Sequence, residues 1–210
     1  MQSLNFLPMG DELDFVHEFI PGSSTRTLLL LHGTGGNERD LLPLGRELNP
    51  EAALLSPRGQ VLENGQPRFF RRLAEGVFDV EDLKRRTDEL ADFVIAASRY
   101  YRFDHAELVA VGYSNGANIA ASILLRRPGA LPAAILLRPM VPLIPDELPD
   151  LDGVRIWIAG GKQDTIIPRA STERLAEMLS SAGAEVTARF FEAGHGLTNA
   201  ELVLAKRWLG

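Results

Sequence analysis

A serine in the segment Gly112-Tyr113-Ser114-Asn115-Gly116 is the strongest candidate for a chemically active residue. This G-x-S-x-G pattern follows an apolar run that predicts a buried strand and precedes a run that predicts a helix. In such a strand–turn–helix the tight turn lifts the hydroxyl above the sheet edge, and the helix N-terminus offers free N–H groups. The segment therefore predicts a nucleophilic serine. A glycine-rich turn with a chance serine is the alternative interpretation.

A serine hydroxyl is a weak nucleophile without a base, and the chain offers four histidines. His195 lies between two glycines just after the last predicted strand, so its loop can bring the imidazole back over the sheet edge. His17 falls in a predicted strand, His105 in a polar turn, and His32 in a glycine loop where a structural role is expected. We therefore predict that His195 is the base, with a surface-loop histidine as the alternative.

A carboxylate that orients the histidine is expected between Ser114 and His195, because this arrangement runs Ser, then Asp or Glu, then His along the chain. Asp164 follows the predicted strand Arg155–Ala159, at the edge where the other two residues are expected. Asp146 lies in a proline-rich loop and is the weaker rival. Asp164 is therefore predicted to complete a triad, with capping of the next helix as its alternative role.

An oxyanion intermediate needs two N–H donors. One is expected from Asn115, which follows the serine, and the other from Thr34 in the loop His32–Gly36. That loop is not a dinucleotide fingerprint, because Glu38 stands where the third glycine is required. The sequence also lacks a phosphate-binding Gly-Lys-Ser/Thr motif and an H-E-x-x-H motif, so we predict no cofactor and no metal site.

Apolar runs alternate with helical patterns, which predicts parallel strands joined by crossover helices in an α/β fold. The predicted strands are Phe15–Phe19, Thr27–Leu31, Ala53–Leu55, Glu107–Val111, Ala133–Leu137, Arg155–Ala159 and Glu185–Phe191. The predicted helices are Glu38–Leu48, Glu81–Tyr101, Asn115–Arg127, Pro168–Ala182 and a last one that opens at Thr198-x-x-Glu201, a pattern resembling a capping box. Residues 56–80 show no clear period and are expected to form a functional loop.

The composition is that of a folded protein whose 210 residues fit one domain, with 45% apolar and 24% charged residues. A net charge of −6 disfavours nucleic acid as a partner. The absence of cysteine excludes disulfides, thiolate metal sites and a cysteine nucleophile.

Residues 1–15 lack a signal-peptide pattern and no apolar run reaches membrane-spanning length, so we expect a cytoplasmic protein without a membrane partner. A homodimer is left open.

Four segments resemble the phospholipase/carboxylesterase family, which includes acyl-protein thioesterases and neighbours the dienelactone hydrolases. They are Leu31–Gly36, Gly112–Gly116, Gly161–Asp164 and Gly194–Gly196. The stretch from Pro57 to Asp79 looks like the bacterial carboxylesterases linked to methylhydroquinone resistance. The resemblance runs over nearly the whole chain in the same order.

This resemblance implies an α/β-hydrolase fold, with a mostly parallel central sheet flanked by helices and no cap domain. It implies that Ser114 is the nucleophile, His195 the base and Asp164 the orienting acid. Thr34 and Asn115 would donate the oxyanion N–H groups. The dienelactone hydrolases use a cysteine nucleophile, which this chain lacks.

Three residues are predicted to line the substrate pocket. Phe69 and Phe70 are expected to form its acyl or aryl wall, with a place in the core as the alternative. Arg138 follows a predicted strand and is expected to receive a substrate carboxylate, with a salt bridge to a loop acid as the alternative. The segment Pro139–Gly153 is short enough to form a rim but not a helical lid, which favours small, soluble esters.

The leading functional hypothesis is therefore a serine carboxylesterase that works through an acyl-enzyme intermediate on a small ester. A thioesterase is the second hypothesis, because the same groups cleave both bonds. A non-catalytic ligand receptor on the same fold is the third. Retention of all three triad residues favours an enzyme over a receptor.

Overall fold

Apolar runs form the strands of this protein in a computed structural model that describes residues 13–210. The strands are β1 (His17–Ile20), β2 (Thr27–Leu31), β3 (Ala53–Pro57), β4 (Val61–Glu63), β5 (Gln66–Arg68), β6 (Arg72–Ala74), β7 (Val77–Phe78), β8 (Leu108–Tyr113), β9 (Ala133–Leu137), β10 (Arg155–Gly161) and β11 (Glu185–Phe191). The helices are α1 (Leu42–Leu48), α2 (Val80–Tyr101), α3 (Asn115–Arg126), α4 (Arg169–Ser181) and α5 (Asn199–Leu209). The prediction that no signal peptide is present rests on residues 1–15, most of which lie outside the described residues.

Seven strands form the central sheet in the order β1-β3-β2-β8-β9-β10-β11. β1 pairs with β3 antiparallel, and every other pair in this sheet is parallel. The carboxyl ends of the parallel strands therefore meet at one edge. This confirms the predicted mostly parallel sheet and places the loops after β2, β8, β10 and β11 together.

Two hydrophobic clusters cover the two faces of the sheet. Along β2, Leu29 and Leu31 face the cluster that contains residues of α2, α3 and α4, whereas Leu28 and Leu30 face the cluster that contains residues of α1 and α5. All four leucines are fully buried. A strand covered by helices on both faces must be apolar at every position, which explains the unbroken TLLLL run.

Some predicted boundaries differ from the observed ones. β1 begins at His17 rather than at Phe15, whose buried ring instead packs against Phe93 at 4.9 Å. α1 begins at Leu42 rather than at Glu38, because the preceding residues form turns in which the N–H of Asp40 donates to the carbonyl of Asn37 and the N–H of Leu42 to that of Arg39.

The segment 56–80, predicted as a functional loop, contains two β-hairpins, β4–β5 and β6–β7. Glu63 in the first hairpin accepts a 2.8 Å hydrogen bond from Nε of Arg72 in the second. In the described chain the segment 139–153 contains no helix. The hairpins and this coil leave the sheet edge without a helical cap, as predicted.

Among the described helices none is long and apolar enough to cross a membrane. The cytoplasmic location and the homodimer stay predictions from the sequence.

Candidate active site

Ser114 lies in a strained turn between β8 and α3. Its backbone has φ 52° and ψ −112°, which is unfavourable for any residue with a Cβ. The turn is held because the Ser114 N–H donates to the carbonyl of Leu137 at 2.8 Å. A Cβ on Gly116 would overlap the Leu31 carbonyl, so glycine lets α3 approach β2 closely. The strained turn and the close packing raise the hydroxyl above the edge of the sheet, as the motif predicts.

The side chains of Ser114, His195 and Asp164 form a continuous hydrogen-bonded chain. Oγ of Ser114 lies 3.0 Å from Nε2 of His195. Nδ1 of His195 lies 2.9 Å from Oδ2 of Asp164. When Nδ1 carries the ring proton, it donates to the carboxylate and Nε2 is free to accept the serine proton. The three residues singled out in the sequence therefore meet in the geometry required for general-base activation of a hydroxyl.

Asp164 is held in the charged state that this geometry needs. Burial opposes its ionisation, but hydrogen bonds from the N–H groups of Ile167 and Ile166 and from His195 outweigh burial and keep the pKa of Asp164 below its ordinary value. The two backbone donors contact Oδ1 at 3.0 and 2.9 Å, which leaves Oδ2 for the imidazole. The carboxylate is thus oriented by the backbone N–H groups of the turn that follows it.

The two candidate oxyanion donors border the same cavity as Ser114. Asn115 is the first residue of α3, so its N–H has no partner within the helix. Thr34 lies in the loop after β2. His32, below this loop, accepts from the Gly59 N–H at 2.9 Å, and burial lowers its pKa. This confirms the structural role expected for His32.

The cavity above Ser114 has a volume of about 310 Å³. Met140, Ile166 and Ile167 form an apolar part of its lining, and Arg68 and Arg72 contribute from the hairpin segment. Arg68 is almost completely buried, and its pKa is lowered by burial and by the charge of Arg72. The cavity therefore combines apolar side chains with two arginines that both pair with the carboxylate of Glu63.

The prediction that Phe69 and Phe70 line this cavity is wrong. Both rings are buried in the core, Phe69 against His32 at 4.7 Å and Phe70 against Phe78 at 4.9 Å. The backbone of Phe69 nevertheless supports the site, because its N–H donates to Oδ1 of Asn115 at 2.8 Å. Phe78 is instead the aromatic residue of this segment that lines the cavity.

The prediction that Arg138 receives a substrate carboxylate is also wrong. Its side chain is fully buried beneath the sheet edge and does not line the cavity. It forms a 2.7 Å ion pair with Glu201, which is equally buried. The alternative of a salt bridge is the correct one: the nearer acid is Glu201 of α5, and the loop residue Asp164 lies 3.9 Å from Nε of Arg138.

This ion pair also overturns the capping-box interpretation of Thr198-x-x-Glu201. α5 does begin at Asn199, but Thr198 makes no side-chain capping bond. The carboxylate of Glu201 turns inward to Arg138 instead of back to the helix N-terminus.

Sequence reasoning missed two residues beside the triad. Tyr113 donates from its hydroxyl to the carbonyl of His195 at 3.0 Å. Arg68 donates from Nη1 to Oγ1 of Thr34 at 2.7 Å. Tyr113 occupies a variable position of the G-x-S-x-G pattern, and Arg68 lies in a segment without a period, so neither carried a signal.

Two sequence comparisons show which proteins this chain is similar to. The model of the dienelactone hydrolase family matches residues 63–203. The Bacillus subtilis protein MhqD is 50% identical over 192 residues, which cover 91% of this chain and 96% of MhqD.

Two solved structures of carboxylesterases are similar to this chain over most of its length. A carboxylesterase from Bacillus cereus matches with a TM-score of 0.89 and 52% identity, over 91% of this chain and 92% of that one. A carboxylesterase from Mesorhizobium loti matches with a TM-score of 0.84 and 33% identity, over 90% of each chain. The α/β-hydrolase fold and the family resemblance are confirmed: this chain is a hydrolase and, although it has no cysteine, belongs to the dienelactone hydrolase family.

Proposed function

We propose that this hydrolase is a serine carboxylesterase in which Ser114 is the nucleophile, His195 the general base and Asp164 the orienting acid. The observation that carries the proposal is the pair of hydrogen bonds through His195, 3.0 Å to the serine and 2.9 Å to the aspartate. This hydrogen-bonded triad beside a strained serine favours an enzyme, because binding a ligand without catalysis does not require an activated hydroxyl. We also propose that the chain forms one domain, which its single large sheet supports.

In the proposed reaction the oxygen of Ser114 attacks the ester carbonyl while His195 takes the hydroxyl proton. The negative charge that develops on the carbonyl oxygen is stabilised by the N–H groups of Thr34 and Asn115. Collapse of the intermediate breaks the bond to the alcohol, which leaves with the proton from His195. Water then attacks the acyl-enzyme with His195 again as base, and the carboxylic acid is released.

The cavity supports small esters as substrates. Its volume of about 310 Å³ suits a small molecule rather than a long acyl chain. Within residues 13–210, no helix covers the sheet edge as the lid of an enzyme acting on lipid aggregates would. The apolar side chains of Met140, Ile166 and Ile167 suit the hydrocarbon part of such an ester.

A fluorophosphonate probe tests the proposed nucleophile, because it reacts with a serine only when a base activates it. We expect one adduct, located by mass spectrometry on the peptide that contains Ser114. Ser114→Ala should abolish labelling, and Ser180→Ala, which removes an exposed serine of α4, should leave it unchanged. Absence of an adduct on the folded wild-type protein would contradict the proposal.

Matched oxygen esters and thioesters then determine which bond is cleaved faster. Faster thioester cleavage would replace the carboxylesterase assignment with a thioesterase.

A further inference from the structure

A buried arginine lies directly below the loop that carries His195. Arg138 is the first residue after β9, and its backbone has φ 56°, in the left-handed region that is unfavourable for a residue with a Cβ. Its N–H donates to the carbonyl of Ala159 in the neighbouring strand at 2.8 Å. This strained backbone directs a fully buried guanidinium under the loop that follows β11.

The guanidinium binds the carbonyl oxygens on both sides of the histidine. Nε donates to the carbonyl of Gly194 at 2.9 Å, and Nη2 donates to the carbonyl of Gly196 at 2.6 Å. The carbonyl of His195 itself accepts from the Tyr113 hydroxyl at 3.0 Å. Two side chains from the ends of β8 and β9 therefore hold three consecutive carbonyls of a loop whose flanking glycines would otherwise give it wide conformational freedom.

Glu201 fixes the guanidinium in turn. Oε1 of this fully buried carboxylate accepts from Nη2 of Arg138 at 2.7 Å, and Oε2 has no hydrogen-bond partner among the described residues. Nε of Arg138 also lies 3.9 Å from Oδ2 of Asp164. The arginine thus lies between two buried carboxylates and compensates the negative charge of the triad aspartate.

We propose that Arg138, held by Glu201, is a positioning residue that fixes the imidazole of His195 between Ser114 and Asp164. An apolar pair could fill the same space without the desolvation cost of burying two charges. It could not, however, hold the carbonyls of Gly194 and Gly196. The inference rests on the proposed function, since it assigns a role through the proposed base.

Positioning of this kind affects the chemical step more than substrate binding, because the arginine is outside the cavity. A misplacement of about 1 Å in a reacting group costs roughly a hundredfold in rate. We expect Arg138→Lys to lower kcat by about tenfold to a hundredfold and to change KM little, since a single ammonium cannot reproduce the planar fork that holds both carbonyls. Glu201→Leu should lower kcat strongly, and Glu201→Gln, which keeps an acceptor for Nη2, should lower it less.

The experiment measures kcat and KM on p-nitrophenyl acetate together with thermal unfolding and the proton NMR signal of Nδ1–H in His195. Leu90→Ala is the control, because it creates a cavity in the core beside α2 and should lower stability without changing kcat. A fall in kcat with a shifted or broadened Nδ1–H signal supports positioning. Wild-type kcat and an unchanged signal in Arg138→Lys would overturn it.

Two further outcomes keep the inference separate from the proposed function. If Arg138→Lys fails to fold, the Glu201 variants decide: a larger loss of kcat in Glu201→Leu than in Glu201→Gln supports the inference, and wild-type kcat in both overturns it. If Ser114→Ala is inactive while folded Arg138→Lys has full activity, the inference alone fails. If Ser114→Ala keeps its activity, the proposed function fails and the inference fails with it.

Discussion

Arg68 donates a 2.7 Å hydrogen bond from Nη1 to Oγ1 of Thr34, so the first hairpin holds the loop that carries one candidate oxyanion donor. Thr34→Val removes the acceptor and leaves the backbone N–H in place. We expect Thr34→Val and Arg68→Met each to lower kcat by about tenfold, because the donor loses its fixed position.

A double-mutant cycle on p-nitrophenyl acetate tests this link. The double variant should lose little more than the more damaging single variant, since both changes break the same contact. Lys84→Met serves as the control, because it removes an exposed ion pair with Glu81 on α2 outside the cavity and should leave kcat unchanged. Fully additive losses for Thr34 and Arg68 would contradict a shared positioning role.

Gly116→Ala should destabilise the protein severely. The added Cβ would overlap the carbonyl of Leu31, so α3 would have to move away from β2. We expect a loss of roughly 3 kcal/mol or more in the free energy of unfolding, measured by urea denaturation. Gly129→Ala is the control: it has φ 85° but open space around the new Cβ, and should cost about 1 kcal/mol. Equal losses in the two variants would contradict the close approach of α3 and β2.

Asp164 should ionise more readily than an ordinary aspartate. The N–H groups of Ile167 and Ile166 and the imidazole of His195 outweigh the effect of burial and hold its pKa below the ordinary 3.8. A lowered folded-state pKa stabilises the fold above the unfolded-state value, and this stabilisation is lost as pH falls through the folded-state pKa. Protonation of this carboxylate should therefore not lower the activity at mildly acidic pH.

The carbon-13 NMR shift of the Asp164 carboxyl group tests this pKa. Its titration midpoint should lie below 3.8, and a midpoint above that value would contradict the assignment.

Asp164→Asn should lower kcat by about 10⁴-fold, because the amide neither favours the productive tautomer of His195 nor stabilises the imidazolium.

The pair of Glu38 and Arg58 should make the fold more stable above pH 4.5. Hydrogen bonding to Arg58 lowers the pKa of Glu38 from 4.5 to about 2, so its contribution is complete above 4.5 and is lost as pH falls toward 2. Glu38→Gln should cost roughly 1 kcal/mol of unfolding free energy at neutral pH, since Arg58 is partly exposed.

Acid unfolding followed by circular dichroism checks this expectation. The stability difference between wild type and Glu38→Gln should shrink as pH falls below 4.5. Glu173→Gln, which removes an exposed ion pair on α4, should change neither stability nor its pH dependence appreciably. A difference that is constant from neutral pH to pH 2 would contradict the pairing.

The sequence predicted the parts of the site that depend on local pattern and chain order. Ser114 was identified because the strand before it, the turn and the helix after it each have their own signature. Asp164 and His195 followed because parallel strands bring their carboxyl ends to one edge of the sheet. These relationships are properties of the topology and need no knowledge of how a side chain packs.

The contacts that hold the triad could not be predicted in the same way. Arg138 follows a strand, and nothing in its neighbours shows that a left-handed backbone directs it under the loop rather than into the cavity. Glu201 matched a capping box because the local pattern is the same whether the carboxylate turns to the helix or to the core. The positions of Phe69 and Phe70 in a segment without a period likewise do not show which of its side chains reach the cavity.

The central claim is that Ser114 is the nucleophile of an esterase, and hydrolysis of p-nitrophenyl acetate by Ser114→Ala tests it most directly. Ser114 makes its only side-chain hydrogen bond in the described chain to His195, so a folded alanine variant removes the attacking oxygen with little other change. We predict that kcat/KM falls by about 10⁴-fold or more, with the thermal unfolding midpoint nearly unchanged. A folded Ser114→Ala variant that hydrolyses the ester at the wild-type rate would contradict the account.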